Sequence, residues 1–216
     1  MKRIFAVKQV PQLEWSSSTP LNFRPRVITV CYLNLGLVMF GLGESLLIAS
    51  GAGVSPWTVL AQGIAGKTAW SIGFTTMIIS FVVLFFWIPL SQKPGIGTIL
   101  NALIIAFMID FSLPLLPYPQ SYVWQLIQVA MGVLIVGIGS GIYLTANLGP
   151  GPRDGLMTGL QVLTWMPIAK IRIALEVAVV AAGWYLGGVV GMGTLIFAFG
   201  VGPCVAIVIL LVRKYL

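Results

Sequence analysis

From Val27 onward the chain alternates long apolar runs with short interruptions rich in glycine, proline and polar residues. The runs predict six membrane-spanning helices, over about 27–50, 70–90, 97–116, 122–145, 168–186 and 193–212. Each is long enough, or nearly so, to cross ~30 Å of hydrocarbon. Two further apolar stretches are too short to cross. After the first span GAGVSP breaks the helix and PWTVLAQGIAG follows, predicting a short helix over 56–66; after the fourth, ANLGPGP leads into a second, over 152–164. Ser55 as N-cap with Pro56 in the first turn is a normal helix start. Asp154 falls in the first turn of the second short helix, where a negative charge suits the dipole. Pro203, inside the last run, predicts a kink there.

The two breaks are versions of one pattern. Shifted by 96 residues without a gap, Gly41, Gly43, Gly53, Pro56, Leu60 and Gly63 fall on Gly137, Gly139, Gly149, Pro152, Leu156 and Gly159. Gly36 falls on Gly132, and Gly95, Gly97 and Thr98 on Gly191, Gly193 and Thr194. The chain therefore divides into a polar tail over 1–26, a first repeat over 27–120 and a second over 121–216. Each repeat carries three crossings, an odd number, so the second enters the bilayer inverted. The expected fold is an all-α polytopic membrane protein: six transmembrane helices, two short interrupted or re-entrant helices, and a 3+3 inverted-topology repeat.

Composition narrows this further. With 58% hydrophobic residues, 8% charged residues and a mean hydropathy of +1.02, the chain lacks the charge a water-soluble surface needs. The net charge of +7 reads as a positive-inside bias and not as a nucleic-acid surface. With the tail inside, Lys2, Arg3, Lys8, Arg24, Arg26, Lys93, Arg153, Lys170, Arg172, Arg213 and Lys214 are all cytoplasmic and Lys67 alone is outside. The expectation is a bacterial inner-membrane protein, embedded in the lipid bilayer, with N- and C-termini cytoplasmic. IFAV, between Arg3 and Lys8, is too short for the core of a cleavable signal. The absence of histidine removes the commonest proton shuttle and metal ligand. Cys31 and Cys204 lie singly in apolar runs and read as small hydrophobes, with neither disulfide nor metal implied.

Backbone that leaves a helix at membrane depth must be buried or line a polar cavity, so Gly53, Ser55, Pro56, Gly149, Gly151 and Pro152 mark a candidate site. A short helix starting there aims N–H groups and a positive dipole end at whatever lies in front. The plainer alternative is that both short helices lie in the interface and only turn the chain. Arg153 and Asp154, standing where the first repeat has Trp57 and Thr58, read either as a boundary arginine with a capping aspartate or as a binding pair for a polar or anionic group. Glu176 lies about eight residues into the fifth span, where a carboxylate costs a few kcal/mol. Arg172, one turn earlier, is its natural intrahelical partner. Asp110 and Asn101 pose the same question on the third span. Glu44 reads as a boundary acid near the outer end of the first span. Trp70, Trp87, Trp124, Trp165 and Trp184 read as interfacial anchors. Gly151, Gly155 and Gly159 form a face that admits a second helix backbone, within the chain or in a homo-oligomer. No catalytic constellation, cofactor motif or metal-ligand set is present, so an enzyme is not expected.

GVSPWTVLAQG, GIGTILN followed by Asp110, GPGPRDGLMTGL, Arg172 with Glu176, and LGGVVGMGT together resemble the bacterial YczE/YyaS/YitT-type membrane protein family, over roughly 27–213. The resemblance implies a bacterial cytoplasmic-membrane protein with duplicated helical units, and implies no substrate. Thr58, where the second copy has Asp154, argues against a symmetric pair of acidic sites. Two functions fit. One is a small secondary transporter or permease for a polar or anionic solute, coupled to a proton or cation through Glu176 or Asp110. The other is a non-transporting accessory or assembly factor that binds a protein through small-residue helix faces. A transporter should gather Glu176, Asp110, Arg153 and Asp154 around one internal cavity. A scaffold should have a packed interior and an exposed small-residue face.

Overall fold

The computed structural model describes residues 12–215 and is helical, with no strand among them. The helices are α1 (Val27–Ser50), α2 (Pro56–Ala65), α3 (Ile72–Phe85), α4 (Ile96–Ser112), α5 (Tyr122–Thr145), α6 (Pro152–Thr164), α7 (Ile168–Tyr185) and α8 (Met192–Tyr215). A 3-10 turn, Leu113–Leu115, extends α4. Both short helices begin at their proline, where the missing N–H costs nothing. Pro203 lies inside α8.

Four helices are long and apolar enough to span a membrane: α1, α4 with its 3-10 extension, α5 and α8. The remaining two expected spans differ for separate reasons. Helix α3 has 14 residues, about 21 Å at 1.5 Å per residue, and gives way to turns through Ser91. Helix α7 has 18 residues but carries Lys170, Arg172 and Glu176.

The centre of the bundle is the crossing of α1 with α5, flanked by α4 against α1 and α8 against α5. Glycine makes that crossing close. A Cβ on Gly36 would stand 2.6 Å from the Gly139 carbonyl oxygen, and one on Gly43 2.7 Å from that of Gly132. Leu33, Leu37, Leu47, Val129, Val133 and Val136 fill the space around these contacts.

After α1 and after α5 the backbone leaves the helix in the same way. Gly51 and Gly53 have φ of 70° and 112°; Asn147 and Gly149, each 96 residues later, have 52° and 109°. Asparagine is among the few residues with a side chain that tolerate this region. Each break is pinned by the start of a long helix from the other half. Gly97 N–H donates to the Leu148 carbonyl and Gly193 N–H to the Ala52 carbonyl, both at 2.8 Å.

Two expectations change. Residues 12–26 are no free polar tail: they form a strap against the second break. Trp15 is buried and stacks on Tyr32 with ring centroids 4.5 Å apart. Ser17 N–H donates to the Ala146 carbonyl at 3.0 Å, and Asn147 Nδ2 donates back to the Ser17 carbonyl at 2.8 Å. Lys2, Arg3 and Lys8 lie outside the described residues. Trp87 is no interfacial anchor either. It is only 2% exposed, its indole N–H donates to the Pro152 carbonyl at 3.0 Å, and its ring lies on Gly155. Trp70, Trp124, Trp165 and Trp184 are exposed, as anchors require.

The glycine face of α6 receives side chains from its own chain and no second helix backbone. Gly155 takes the Trp87 ring and Gly159 takes Leu90, while Gly151 faces Asn101 and Tyr143.

Candidate functional site

The first turns of α2 and α6 approach each other through Trp57 and Arg153. Arg153, the second residue of α6, lies over the Phe40 ring of α1 at 5.6 Å and the Trp57 ring of α2 at 6.0 Å. The positive ends of two helices therefore converge beside a guanidinium that stacks on aromatic faces. Among the described residues Arg153 has no carboxylate within ion-pair distance.

In front of this junction lies a cavity of about 530 Å³. Its polar lining is Asn101 from α4, Ser140 and Tyr143 from α5, Arg153 and Asp154 from α6, and Arg172 and Glu176 from α7. Phe197, Val201 and Pro203 of α8 give it an apolar wall. The space is there because α7 stands away from α8, whereas α3, its counterpart, packs along α4.

The polar groups are ordered by contacts. Tyr143 O–H donates to Asp154 Oδ2 at 3.2 Å. Asn101, Tyr143 and Asp154 ring Gly151, where a Cβ would come within 3.4 Å of all three, so the missing side chain leaves room for their approach. Arg172 Nε donates to Glu176 Oε1 at 2.8 Å, the intrahelical pair expected from the spacing.

Of the sequence candidates, Glu176, Arg153, Asp154, Asn101 and Arg172 line this one cavity, with Gly151 at its edge and Pro56 at the α2 side. Pro152 lies just behind, where its carbonyl takes the Trp87 N–H. Gly53 and Gly149 do not line it. They hold the breaks, each against a threonine and glycine of the opposite half: Thr194 and Gly191 for Gly53, Thr98 and Gly95 for Gly149.

Asp110 is elsewhere. Its carboxylate accepts from Ser71 O–H, from Gly73 N–H at 2.8 Å and from Phe74 N–H at 3.2 Å, capping α3 and tying it to α4. Ser55 is the N-cap residue of α2, but its hydroxyl does not cap the helix. It donates instead to Glu44.

Glu44 is the residue that sequence reasoning misplaced. It is no boundary acid: it is 1% exposed, under the first turn of α2. Ser55 and Thr58 each place a hydroxyl 2.9 Å from Oε2. Oε1 has no protein hydrogen-bond partner. Counting along α1 puts Glu44 near its far end, as the sequence suggested. What the count cannot show is that α2 folds back over that end and buries it. The signal available was the pairing of an acid in GLGES with hydroxyls at Ser55 and Thr58, across the break. Tyr143 was missed for want of any signal beyond one tyrosine in a glycine-rich helix.

The chain matches the model of a family of unknown function (DUF6198) over residues 27–209. It is 38% identical over 199 residues to an uncharacterized protein of Haemophilus influenzae, covering 92% of this chain and 90% of that protein. It is 35% identical over 173 residues to the uncharacterized membrane protein YczE of Bacillus subtilis, covering 77% and 79%. It is 28% identical over 169 residues to the uncharacterized protein YyaS of the same organism, covering 76% and 84%. No solved structure matches it. Four helices fit to span a bilayer, the family match over most of the chain and the YczE likeness agree: the chain is an integral membrane protein and belongs to the YczE-type family.

Proposed function

We propose that the protein is a small secondary transporter or permease for a polar or anionic solute, built as a 3+3 inverted repeat of six spans. The observation that carries this reading is the 530 Å³ cavity, where Arg153, with no carboxylate within ion-pair distance among the described residues, meets two helix N-termini. Helix N-termini and a guanidinium both favour an anion in low-dielectric surroundings. Three of the four charged residues that a transporter should gather share the cavity, and Asp110 serves α3 instead. The small-residue face that a scaffold would present is covered by Trp87 and Leu90.

The repeat is supported by matching detail. The breaks share their left-handed positions, and the close contacts of Gly36 with Gly139 and of Gly43 with Gly132 exchange under the 96-residue shift. Helix α7 serves as a span in this reading, with Arg172 and Glu176 lining the cavity. Helix α3 reaches across with the turns that follow it. The distribution of basic residues favours cytoplasmic termini, a reading tested with a Lys93→Cys variant, which an impermeant thiol reagent should fail to label in intact cells.

The experiment is a thermal-shift screen of purified protein against small organic and inorganic anions and neutral polar solutes, followed by titration calorimetry. The expected result is at least one stabilising solute, an anion whose affinity falls about tenfold or more in Arg153→Ala, or about 1.4 kcal/mol. A protein that no such solute stabilises, and that copurifies stoichiometrically with another membrane protein, would instead be an accessory factor.

A further inference from the structure

Behind the large cavity lies a second of about 30 Å³. Glu44 lines it, with Thr58 of α2, Thr76 and Ser80 of α3, Asn101 of α4 and Arg153 of α6. Arg153, Asn101 and Trp57 line both cavities and form the partition between them. Of the residues lining the small cavity, Glu44 and Arg153 are the only charged ones.

The acids of this chain do different work. Asp110 is used up as a cap, Glu176 is held by Arg172, and Asp154 takes the Tyr143 hydroxyl. Glu14 is exposed, with its backbone carbonyl accepting from Arg26. Glu44 alone is fully buried, with one oxygen taken by two hydroxyls and the other left without a protein partner. A buried polar atom without a partner is costly, and a proton held on it removes the charge that makes it so.

We propose that Glu44 is an exchangeable proton site, linked through Arg153 to anion binding in the large cavity. Ser55 and Thr58 occupy Oε2, so the proton is carried on Oε1. While Glu44 is ionised, it balances the guanidinium from the rear. Once it is protonated, the charge of Arg153 is uncompensated on that side and faces the large cavity. Glu44 and a bound anion thus compete for one positive charge. Linkage then fixes the sign. Whatever favours the protonated acid strengthens anion binding, and anion binding takes up a proton to the same degree. Anion affinity rises as the pH falls through the titration of Glu44, the behaviour of a proton–anion symporter. The coupling role rests on the transporter reading; the proton site itself does not.

The test needs no knowledge of the solute. Dicyclohexylcarbodiimide, an apolar reagent that adds to protonated carboxyl groups, is applied to the purified full-length protein over a range of pH. Adducts are assigned among the five acidic side chains by peptide mass spectrometry. The expected result is one adduct, on Glu44, forming faster as the pH falls and unchanged when sodium is replaced by choline. In Arg153→Ala, at fixed pH near neutrality, labelling should be faster by roughly tenfold, because the ionised form loses its counter-charge. Mapping on the wild-type chain needs no variant at Glu44, and infrared difference spectra should show its carboxylic-acid band appear on acidification. An adduct on Glu176 or Asp110, or neither adduct nor band, overturns the site. Protection by sodium replaces the proton with a metal cation and overturns the proposal as stated. Labelling of Glu44 indifferent to Arg153→Ala overturns the link. If the anion screen finds nothing while Glu44 labels as described, the transporter reading fails and the proton site stands.

Discussion

Trp87 and Gly183 stand 96 residues apart and meet opposite short helices in opposite ways. On one side Trp87 lays its indole over Gly155 of α6. On the other, Gly183 of α7 lies against the backbone of Val59 and Leu60 of α2, where a Cβ would come within 2.5 Å. Val59 is the 96-residue counterpart of Gly155, so bulk and gap have changed places across the same contact. The next turn preserves the scheme: Leu90 packs on Gly159 and Leu186 on Gly63. With no side chain between them α2 and α7 lie close; α6 sits less closely on α3. A second difference acts the same way. Asp110 laces α3 to α4, and its counterpart is Ala206, with Pro167 where Ser71 would be. Helix α7 is thus drawn to α2 and released from α8, and the cavity opens in that gap. The lesson is that a near-symmetric chain can place its cavity on one side by two local changes, one steric and one polar.

The largest expected effect comes from filling the gap. Gly183→Leu forces side-chain atoms into the Val59–Leu60 backbone and should cost about 3 kcal/mol or more. Trp87→Gly, which puts glycine at both related positions, removes a buried ring and its hydrogen bond at a cost of about 3–5 kcal/mol. Both are read by thermal unfolding in detergent with size-exclusion detection. A Gly183→Leu protein as stable as wild type would break the comparison at its steric half.

Unlacing α3 from α4 should cost less. Asp110→Ala loses a cap with three donors, about 2 kcal/mol, and should raise hydrogen exchange at Gly73 and Phe74. Exchange unchanged there would show that α3 is held by packing alone. The smallest effect is at the Arg172–Glu176 pair, which belongs to a single helix and is partly exposed. Arg172→Gln should change stability by roughly 0.3–0.5 kcal/mol. A much larger loss would mean that the pair helps to set where α7 stands.

How much of this was legible in sequence depends on how local the cause is. The starts of α2 and α6 were readable to the residue, because proline at the first position, after Ser55 in one and Gly151 in the other, acts within one turn. Arg153, Asp154, Asn101, Arg172 and Glu176, each legible by residue type alone, lie at one cavity. Glu44, Asp110 and Trp87 were misread for one shared reason. Each was judged by its depth along its own segment, and each owes its role to a segment folded over it: α2 over Glu44, the start of α3 over Asp110, and α6 over Trp87. The departure of α7 from α8 was invisible because the residues responsible, Gly183 and Ala206, are ordinary in an apolar helix. They acquire meaning only beside their partners.

The strap has a consequence in time. Ser16 and Ser17 hold Thr145, Ala146 and Asn147, partners about 130 residues further along the chain. A chain made from its N-terminus therefore carries the strap unpaired until α5 is in place. Closing so long a loop gains nothing until both ends are ordered. The strap, made before every helix described here, cannot settle until α5 has formed, and its docking at the second break marks the arrival of the first helix of the second half.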